Sequence, residues 1–153
     1  MKHHPVYVEI MRRLLPLLRQ YKPFSGMPFA LLCDHLAWFW NRGTMSYVID
    51  SGGKPHAVCL IKLFHRLEYF LWPYIHYPCG KFVMIELMVA DEPNAMAHCF
   101  NELTQRFGPQ EVVVWDRGER TESGEPRMYK WNQFERLAKK LTYGLIECEH
   151  SPS

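Results

Sequence analysis

The sequence predicts an α+β protein, in which a mixed, mostly antiparallel sheet carries helices on both faces. Two helical patterns open the chain, with apolar residues recurring at three- and four-residue steps over residues 6–21 and 29–40. From residue 46 the period becomes that of strands, and a strand–helix–strand unit occupies residues 81–115. The right-handed crossover of such a unit places its two strands parallel, whereas the earlier strands are joined by a tight turn and are antiparallel.

The two opening helices have identifiable stops. Pro16 lies inside the first pattern and is expected to kink or split that helix, because proline lacks the N–H of the helical ladder. A break with two prolines and a glycine follows at residues 22–28. The second helix is expected to end at Asn41-Arg-Gly43, with the glycine in a left-handed conformation.

The predicted sheet begins with a hairpin. Strands over residues 46–50 and 56–64 flank the turn Ser51-Gly-Gly53. Residues 65–71 could form a third strand or an irregular edge, and residues 72–80 are expected to form a loop because they contain two prolines and a glycine.

The strongest strand pattern covers residues 81–90, which are almost continuously apolar, as in a central strand covered on both faces. Glu86 interrupts it. Asp91 and Pro93 suit the cap and the first turn of a helix that reaches Phe107. The remaining predicted elements are two strands, a short closing helix and a tail: residues 111–115, 127–131, 134–141 and 151–153.

Composition excludes several classes of protein. At 153 residues the chain has the size of one domain, and we expect a single domain over residues 1–150. Hydrophobic residues make up 48% and charged residues 22%, which excludes a disordered chain or a coiled coil. The net charge of +2 does not by itself indicate nucleic acid. No apolar run approaches the roughly 20 residues of a membrane span, and the N-terminus lacks a signal-peptide pattern, so we expect a cytoplasmic protein.

Cysteine and histidine spacing argues against a structural metal site or a disulfide framework. The five cysteines are widely spaced without a Cys-x-x-Cys pair, which favours reduced, mostly buried thiols. The histidines show neither His-x-x-x-His nor His-Glu-x-x-His spacing, so no metal is expected.

Two segments carry a family resemblance: the hairpin Tyr47-Val-Ile-Asp-Ser-Gly-Gly-Lys-Pro-His-Ala-Val-Cys59 and the strand Cys79-Gly-Lys-Phe-Val-Met-Ile-Glu-Leu-Met-Val-Ala90. The stretch from Tyr47 to Trp115 resembles the GNAT N-acyltransferase fold, and within it the RTX toxin-activating lysine acyltransferases. In that fold two helices precede an antiparallel hairpin, a central strand, a donor-binding helix and a parallel strand that splays away. The resemblance implies acyl transfer from a thioester donor to an amine, such as a protein lysine.

The resemblance also implies site residues. The catalytic Asp of the toxin activators falls on Glu86, and the donor would lie in the splay between the two parallel strands. His35 is the candidate for the family's catalytic histidine, although it lies in the second helix and the segment Phe24-Ser-Gly-Met-Pro28 between the helices has none. The residues that would bind the donor are Met88, Val89, Ala90, Asn94 and Trp115.

Coenzyme A is not expected to bind in the usual GNAT manner. Those enzymes place Arg/Gln-x-x-Gly-x-Gly/Ala between the central strand and its helix, whereas this chain reads Val89-Ala-Asp-Glu-Pro-Asn-Ala95. At an effective dielectric constant near 20, one like-charge contact at ~4 Å costs about 4 kcal/mol, more than the ~0.3–1 kcal/mol a helix dipole supplies. No tightly bound cofactor is therefore expected, and a thioester on acyl carrier protein, the donor of the toxin activators, is left open.

Each candidate also has a structural interpretation. Glu86 could pair with Arg66, Arg117 or Lys62 across the sheet, or point out through a splay. His35 could be an ordinary structural histidine among aromatic residues. Catalysis would use Glu86 as the general base, with strand amides polarising the acyl carbonyl.

Two surfaces suggest alternatives to an enzyme. Residues 71–80 are rich in aromatic side chains, which could line an acyl groove, meet a partner or simply close the end of the sheet. A basic C-terminal cluster could meet an acidic carrier protein or a phosphate backbone, or be a solvated face. The main alternative is a catalytically silent GNAT-like module that binds another protein. Nucleic-acid binding is a third possibility, with an affinity that falls steeply with salt. The basic cluster is Arg127, Lys130, Arg136, Lys139 and Lys140.

Overall fold

The computed structural model describes residues 3–66, 75–107, 112–115 and 127–130, together with Gln133 and Arg136. Its element order confirms the predicted α+β class. In chain order the elements are α1 (Pro5–Leu18), a 3-10 turn (Lys22–Phe24), α2 (Phe29–Asn41), β1 (Met45–Ile49), β2 (Pro55–Phe64), β3 (Phe82–Ala90), α3 (Pro93–Phe107), β4 (Val112–Trp115) and β5 (Arg127–Lys130). Of the closing helix predicted over residues 134–141, Arg136 is described and is helical, as is Gln133 just before it, and the other residues lie outside the described part.

The described strands form one mixed sheet in the order β1-β2-β3-β4-β5. The β3–β4 pair is parallel and spans the crossover through α3, while the other three pairs are antiparallel. This arrangement confirms the hairpin and the strand–helix–strand unit that the sequence predicts.

Helices cover both faces of the sheet. Because successive strand residues point to opposite faces, neighbouring residues of β2 enter different clusters. Val58 and Leu60 pack with α1 and α2, whereas Ala57 and Cys59 pack with α3. The larger cluster draws most of its buried residues from the two opening helices, so the face that they cover holds the greater part of the described core.

Pro16 does not split the first helix. α1 continues through it and ends two residues later, at Leu18. The missing N–H removes one bond of the helical ladder, and at this position near the helix end the loss is tolerated. α2 ends as predicted, because Gly43 has a φ of 69° and the amides of Gly43 and Thr44 bond to the carbonyls of Trp40 and Phe39.

A β-bulge interrupts the pairing of β2 with β3. Leu60 pairs with Leu87 and Ile61 with Ile85, so β3 holds one extra residue at this point, and that residue is Glu86. An extra residue is left out of the ladder and bends its strand locally. The bulge therefore places the candidate base at an irregularity of the central strand.

Residues 75–80 lie along the edge of β2. β2 ends at Phe64, and residues 65 and 66 are not strand, while residues 67–74 lie outside the described part. Residues 75–80 form the predicted loop, in which the amide of Tyr77 donates to the carbonyl of Leu63 over 2.8 Å. A Cβ on Gly80 would lie 2.7 Å from the backbone nitrogen of Phe64, so this close approach requires glycine.

Within the described ranges, no helix combines the length and the hydrophobicity that crossing a bilayer requires.

Candidate functional site

Glu86 is the extra residue of the bulge between β2 and β3, and 40% of its side chain is exposed. Its Oε2 atom is nevertheless buried and has no hydrogen-bond partner among the described residues. Glu86 forms an ion pair with Lys62, whose Nζ atom lies 3.6 Å from Oε2. The carboxylate therefore has one buried oxygen beside a cation, and part of its side chain can be reached from solvent.

Lys62 is one of the three partners that the structural interpretation of Glu86 named. It lies in β2 and is only 3% exposed, which is rare for lysine. Of the other two partners considered, Arg66 is exposed and Arg117 lies outside the described residues. A buried ammonium needs a nearby negative charge, so Glu86 compensates Lys62 whatever else it does.

His35 lies on α2, partly buried between two aromatic rings. Its ring makes edge contacts with Phe24 and Phe39, at centroid distances of 5.7 and 6.4 Å. Glu86 forms its ion pair with Lys62, and no contact between His35 and Glu86 is described. The surroundings of His35 match its structural interpretation.

The predicted donor-binding residues follow Glu86 along the chain. Met88 and Ala90 pack on the side of α3, while Val89 packs on the side of α1 and α2. Asn94 is partly buried in the first turn of α3. Trp115 ends β4 opposite Ile85, which is the last described pair of the two parallel strands.

The two parallel strands are described as paired over four residues. β3 continues past that pairing from Glu86 to Ala90, while the residues that follow Trp115 lie outside the described part. Along these five residues, no strand partner on the β4 side is described. The predicted divergence of the two strands remains a prediction.

A second group of charged side chains forms at the opposite end of β2. The Nδ1 atom of His56 lies 3.1 Å from both carboxylate oxygens of Asp91, and its Nε2 atom lies 2.9 Å from Oδ2 of Asp50. Ligand atoms of His56, Asp91 and Glu92 all lie within 4.8 Å of one another. The carboxylate of Asp91, the residue predicted to cap α3, thus contacts the His56 ring.

The charges in this group reinforce one another. The hydrogen bond to Asp50, followed by the one to Asp91, raises the pKa of His56 above 6.5. The same His56 contact, followed by the amide of Lys54, lowers the pKa of Asp50. In the absence of another cation, His56 is therefore favoured as an imidazolium between two carboxylates.

No sequence motif within one segment predicts this group, because His56 and Asp91 are 35 residues apart. The β2–β3 register brings them together: Ala57 pairs with Ala90, and the amide of Asp91 donates to the carbonyl of His56. Pairing the predicted strands in antiparallel register would have been the signal, since the residues flanking Ala57 and Ala90 then meet.

The surfaces considered as partner sites are described in part. Tyr77 is 42% exposed and His76 is partly buried, while Trp72 and Tyr74 lie outside the described residues. In the basic cluster, Lys130 and Arg136 are exposed. The side chains of the other members, Arg127, Lys139 and Lys140, lie outside the described part.

The cysteines described are three buried and one exposed: Cys33, Cys59 and Cys99 are buried, and Cys79 is exposed. Burial raises the pKa of the Cys99 thiol to about 11, so it is protonated near neutral pH. A buried, protonated thiol is a poor nucleophile, which matches the structural role that the sequence predicts for these residues.

Comparison of the chain with protein-family models finds no matching family, and comparison with curated proteins finds no match.

Proposed function

We propose that the protein is a GNAT-like acyltransferase that moves an acyl group from a thioester donor to an amine. The order of elements supports the fold part of this proposal: two helices, an antiparallel hairpin, a central strand, a helix and a parallel strand. This is the order that the resemblance implies from the hairpin onward.

Glu86 carries the chemical part. Its Oε2 atom is buried without a hydrogen-bond partner in the described part of the chain, at a bulge of the central strand, and part of the side chain stays exposed. A carboxylate with unused acceptor capacity on one oxygen, on a side chain that is partly exposed, suits a general base. Bulges are also over-represented next to active sites, where they redirect a side chain.

In the proposed reaction this carboxylate first accepts a proton and then donates it. The amine nitrogen bonds to the thioester carbonyl carbon, the carbon–sulfur bond breaks, and the sulfur leaves with the electron pair. Glu86 takes the proton that the amine loses and returns it to the thiolate. Amides of β3 near the bulge that do not bond to β2 would polarise the acyl carbonyl, because backbone N–H groups stabilise the developing oxyanion.

Lys62 would assist by orienting Glu86. Its Nζ atom lies 3.6 Å from Oε2, so the ion pair holds the carboxylate at the bulge. Lys62 itself is 3% exposed and so is not proposed as the acyl acceptor.

The proposed donor is a thioester on a carrier protein. The turn between β3 and α3, where a coenzyme A pyrophosphate would lie, presents the exposed carboxylates of Asp91 and Glu92. Pro93, the first residue of α3, has no N–H to donate. This turn therefore repels phosphate, whereas a carrier protein offers its acyl chain without requiring a pyrophosphate site at this turn.

The Lys62–Glu86 pair also favours the second candidate, a catalytically silent module of the same fold. A buried lysine needs a carboxylate for stability alone, so the pair would persist in a protein that binds a partner and transfers nothing.

The test compares the variant Glu86→Gln with the control variant Glu9→Gln. Glu9 is an exposed residue of α1 whose carboxylate pairs with Arg13 at 3.2 Å. Each variant is incubated with a lysine-containing peptide and either acyl carrier protein carrying a long acyl chain or acetyl-coenzyme A, and acylated peptide is quantified by mass spectrometry. We expect transfer from the carrier protein, a loss of about 10²–10⁴-fold in Glu86→Gln, and no change in Glu9→Gln.

Circular dichroism establishes that both variants are folded before rates are compared. Absence of transfer from either donor would overturn the enzymatic proposal and favour the silent module. Transfer by Glu86→Gln at the wild-type rate would remove the proposed base.

A further inference from the structure

We propose that His56, Asp91 and Glu92 form a binding site for a divalent cation of the first transition row, oriented by Asp50. This proposal does not depend on acyl transfer. One ligand atom from each of the three residues lies within 4.8 Å of the other two, and no other such group of three occurs among the described residues.

The distances between His56 and Asp91 match those between two ligands of one metal ion, and Glu92 is close enough to reach the same ion after a small side-chain movement. Zinc binds histidine nitrogen and carboxylate oxygen at about 2.0–2.2 Å, so two ligands at 90–110° around it lie roughly 2.9–3.4 Å apart. The Nδ1 atom of His56 lies 3.1 Å from each oxygen of Asp91. A single N–H aims at one acceptor, whereas an ion placed between ring and carboxylate engages both oxygens equally well.

The second nitrogen of the ring supplies an observation that an acidic cluster alone would lack. Metal-binding histidines usually donate their other N–H to a carboxylate or carbonyl, which fixes the tautomer and aims the free nitrogen at the metal. Nε2 of His56 lies 2.9 Å from Oδ2 of Asp50. Asp50 is itself held, since its Oδ1 accepts from the amide of Lys54 at 2.9 Å.

The backbone holds the ligands in place. The amides of Asp50 and Gly53 close the hairpin turn, bonding to Lys54 and Asp50. The amide of Asp91 bonds to the carbonyl of His56 at 2.9 Å, so the start of β2 and the residue after β3 are tied directly together. A site built on two paired strands is pre-organised, which lowers the entropy lost on binding.

The ligand chemistry selects the class of cation. One imidazole with two carboxylates suits zinc or manganese, whereas magnesium and calcium are bound by oxygen ligands and gain little from a histidine. With Asp50 nearby, three carboxylates supply more negative charge than one imidazolium neutralises. The ion would complete the charge balance of the group.

The test is calorimetric titration of the purified chain with ZnCl2, followed by titration with CoCl2 monitored by visible absorption. We expect one site whose affinity falls by about tenfold or more in His56→Gln, Asp91→Asn and Glu92→Gln. Asp50→Asn is expected to weaken binding without abolishing it. The cobalt spectrum should change in the ligand variants, because it reports the coordination of the bound ion.

Two other histidine–carboxylate pairs provide matched controls. His98 lies 3.5 Å from Glu102 on α3, and His3 contacts Asp34, but neither pair has a third ligand among the described residues. His98→Gln and His3→Gln should therefore bind zinc as the wild type does. Equal binding by wild type and all three ligand variants, or no zinc binding by the folded wild type, would overturn the proposal. Loss of binding in one of the two control variants instead would place the site elsewhere and overturn it too.

Discussion

The surroundings at the two ends of β2 shift the pKa of a histidine in opposite directions. At the Pro55 end, His56 is held by the carboxylates of Asp50 and Asp91, which raise its pKa. At the Phe64 end, His76 is partly buried, and its Nδ1 atom accepts the amide of Leu63 at 3.1 Å. Burial, followed by the charge of Arg42, lowers the pKa of His76.

The difference shows that neighbours, and not residue type, set the charge at each end. His76 uses a lone pair for the backbone and must stay neutral to keep that hydrogen bond. His56 offers both nitrogens to carboxylates and gains from a positive charge or from a cation in its place. Lys62, near the Phe64 end, is charged and buried, so its partner Glu86 cannot be removed without a cost.

The largest effect on stability is expected for Glu86→Gln, which leaves the Lys62 ammonium beside a neutral amide. We expect a loss of about 2 kcal/mol in the free energy of unfolding, below the ~3–5 kcal/mol of a fully buried pair because Glu86 is partly exposed. Lys62→Met should cost less, since the carboxylate that remains can be hydrated. Urea unfolding followed by tryptophan fluorescence measures both. A greater loss in Lys62→Met than in Glu86→Gln would contradict this asymmetry.

An intermediate effect is expected at His76. His76→Ala leaves the amide of Leu63 without its acceptor, at a cost of about 1 kcal/mol, the low end for a lost partner because His76 is only partly buried, whereas His76→Asn retains an acceptor and should cost less. Because the folded state lowers the pKa of His76 below 6.5, its contribution is present above that pH and is lost as the pH falls through the folded pKa. Unfolding measured from neutral to acid pH should therefore show a shallower decline in His76→Asn than in the wild type. Parallel declines would contradict the assignment.

The smallest effect is expected at His56, measured with EDTA so that no cation contributes. Its raised pKa gives the opposite sign: the contribution is full below the ordinary value of 6.5 and is lost as the pH rises through the folded pKa. Toward acid pH it lasts until Asp50, whose pKa is lowered, takes up a proton. His56→Gln should thus lower Tm most on the acid side of neutrality, and salt should reduce the difference because exposed pairs are screened.

His98→Gln is the control for that measurement, because His98 forms a single pair with Glu102 on the exposed face of α3. Its Tm is expected to follow the wild type at every pH. A loss at His56 that grows toward alkaline pH would show that the ring is not held as an imidazolium.

Much of the fold could be predicted from periodicity. The hairpin, the central strand and α3 lie within one residue of the predicted bounds, because alternating and helical burial patterns are written directly in the residues. Of the two effects expected of Pro16, a kink or a split of α1, the split does not occur, since periodicity does not show how close to the helix end a proline will fall. The bulge at Glu86 could not be predicted either, because it depends on the register of two strands distant in sequence.

In the candidate sites, too, the sequence indicates single residues but not their partners. An acidic residue in an apolar strand marks Glu86 from the sequence alone, but its partner Lys62 emerges from the pairing of β2 with β3. The His56 group has no local motif at all. His35, chosen for its residue type, lies between aromatic rings where the sequence offers no information on its neighbours.

By itself, the order of apolar and polar residues determined which segments are helix or strand, the α+β class, and the position of the one carboxylate in the central strand. These properties depend on neighbours within a few residues, where backbone geometry alone relates one side chain to the next. The tertiary structure decided which charges meet: Lys62 with Glu86, and His56 with Asp50 and Asp91. Such contacts depend on strand register and burial, which arise only when distant segments pack together.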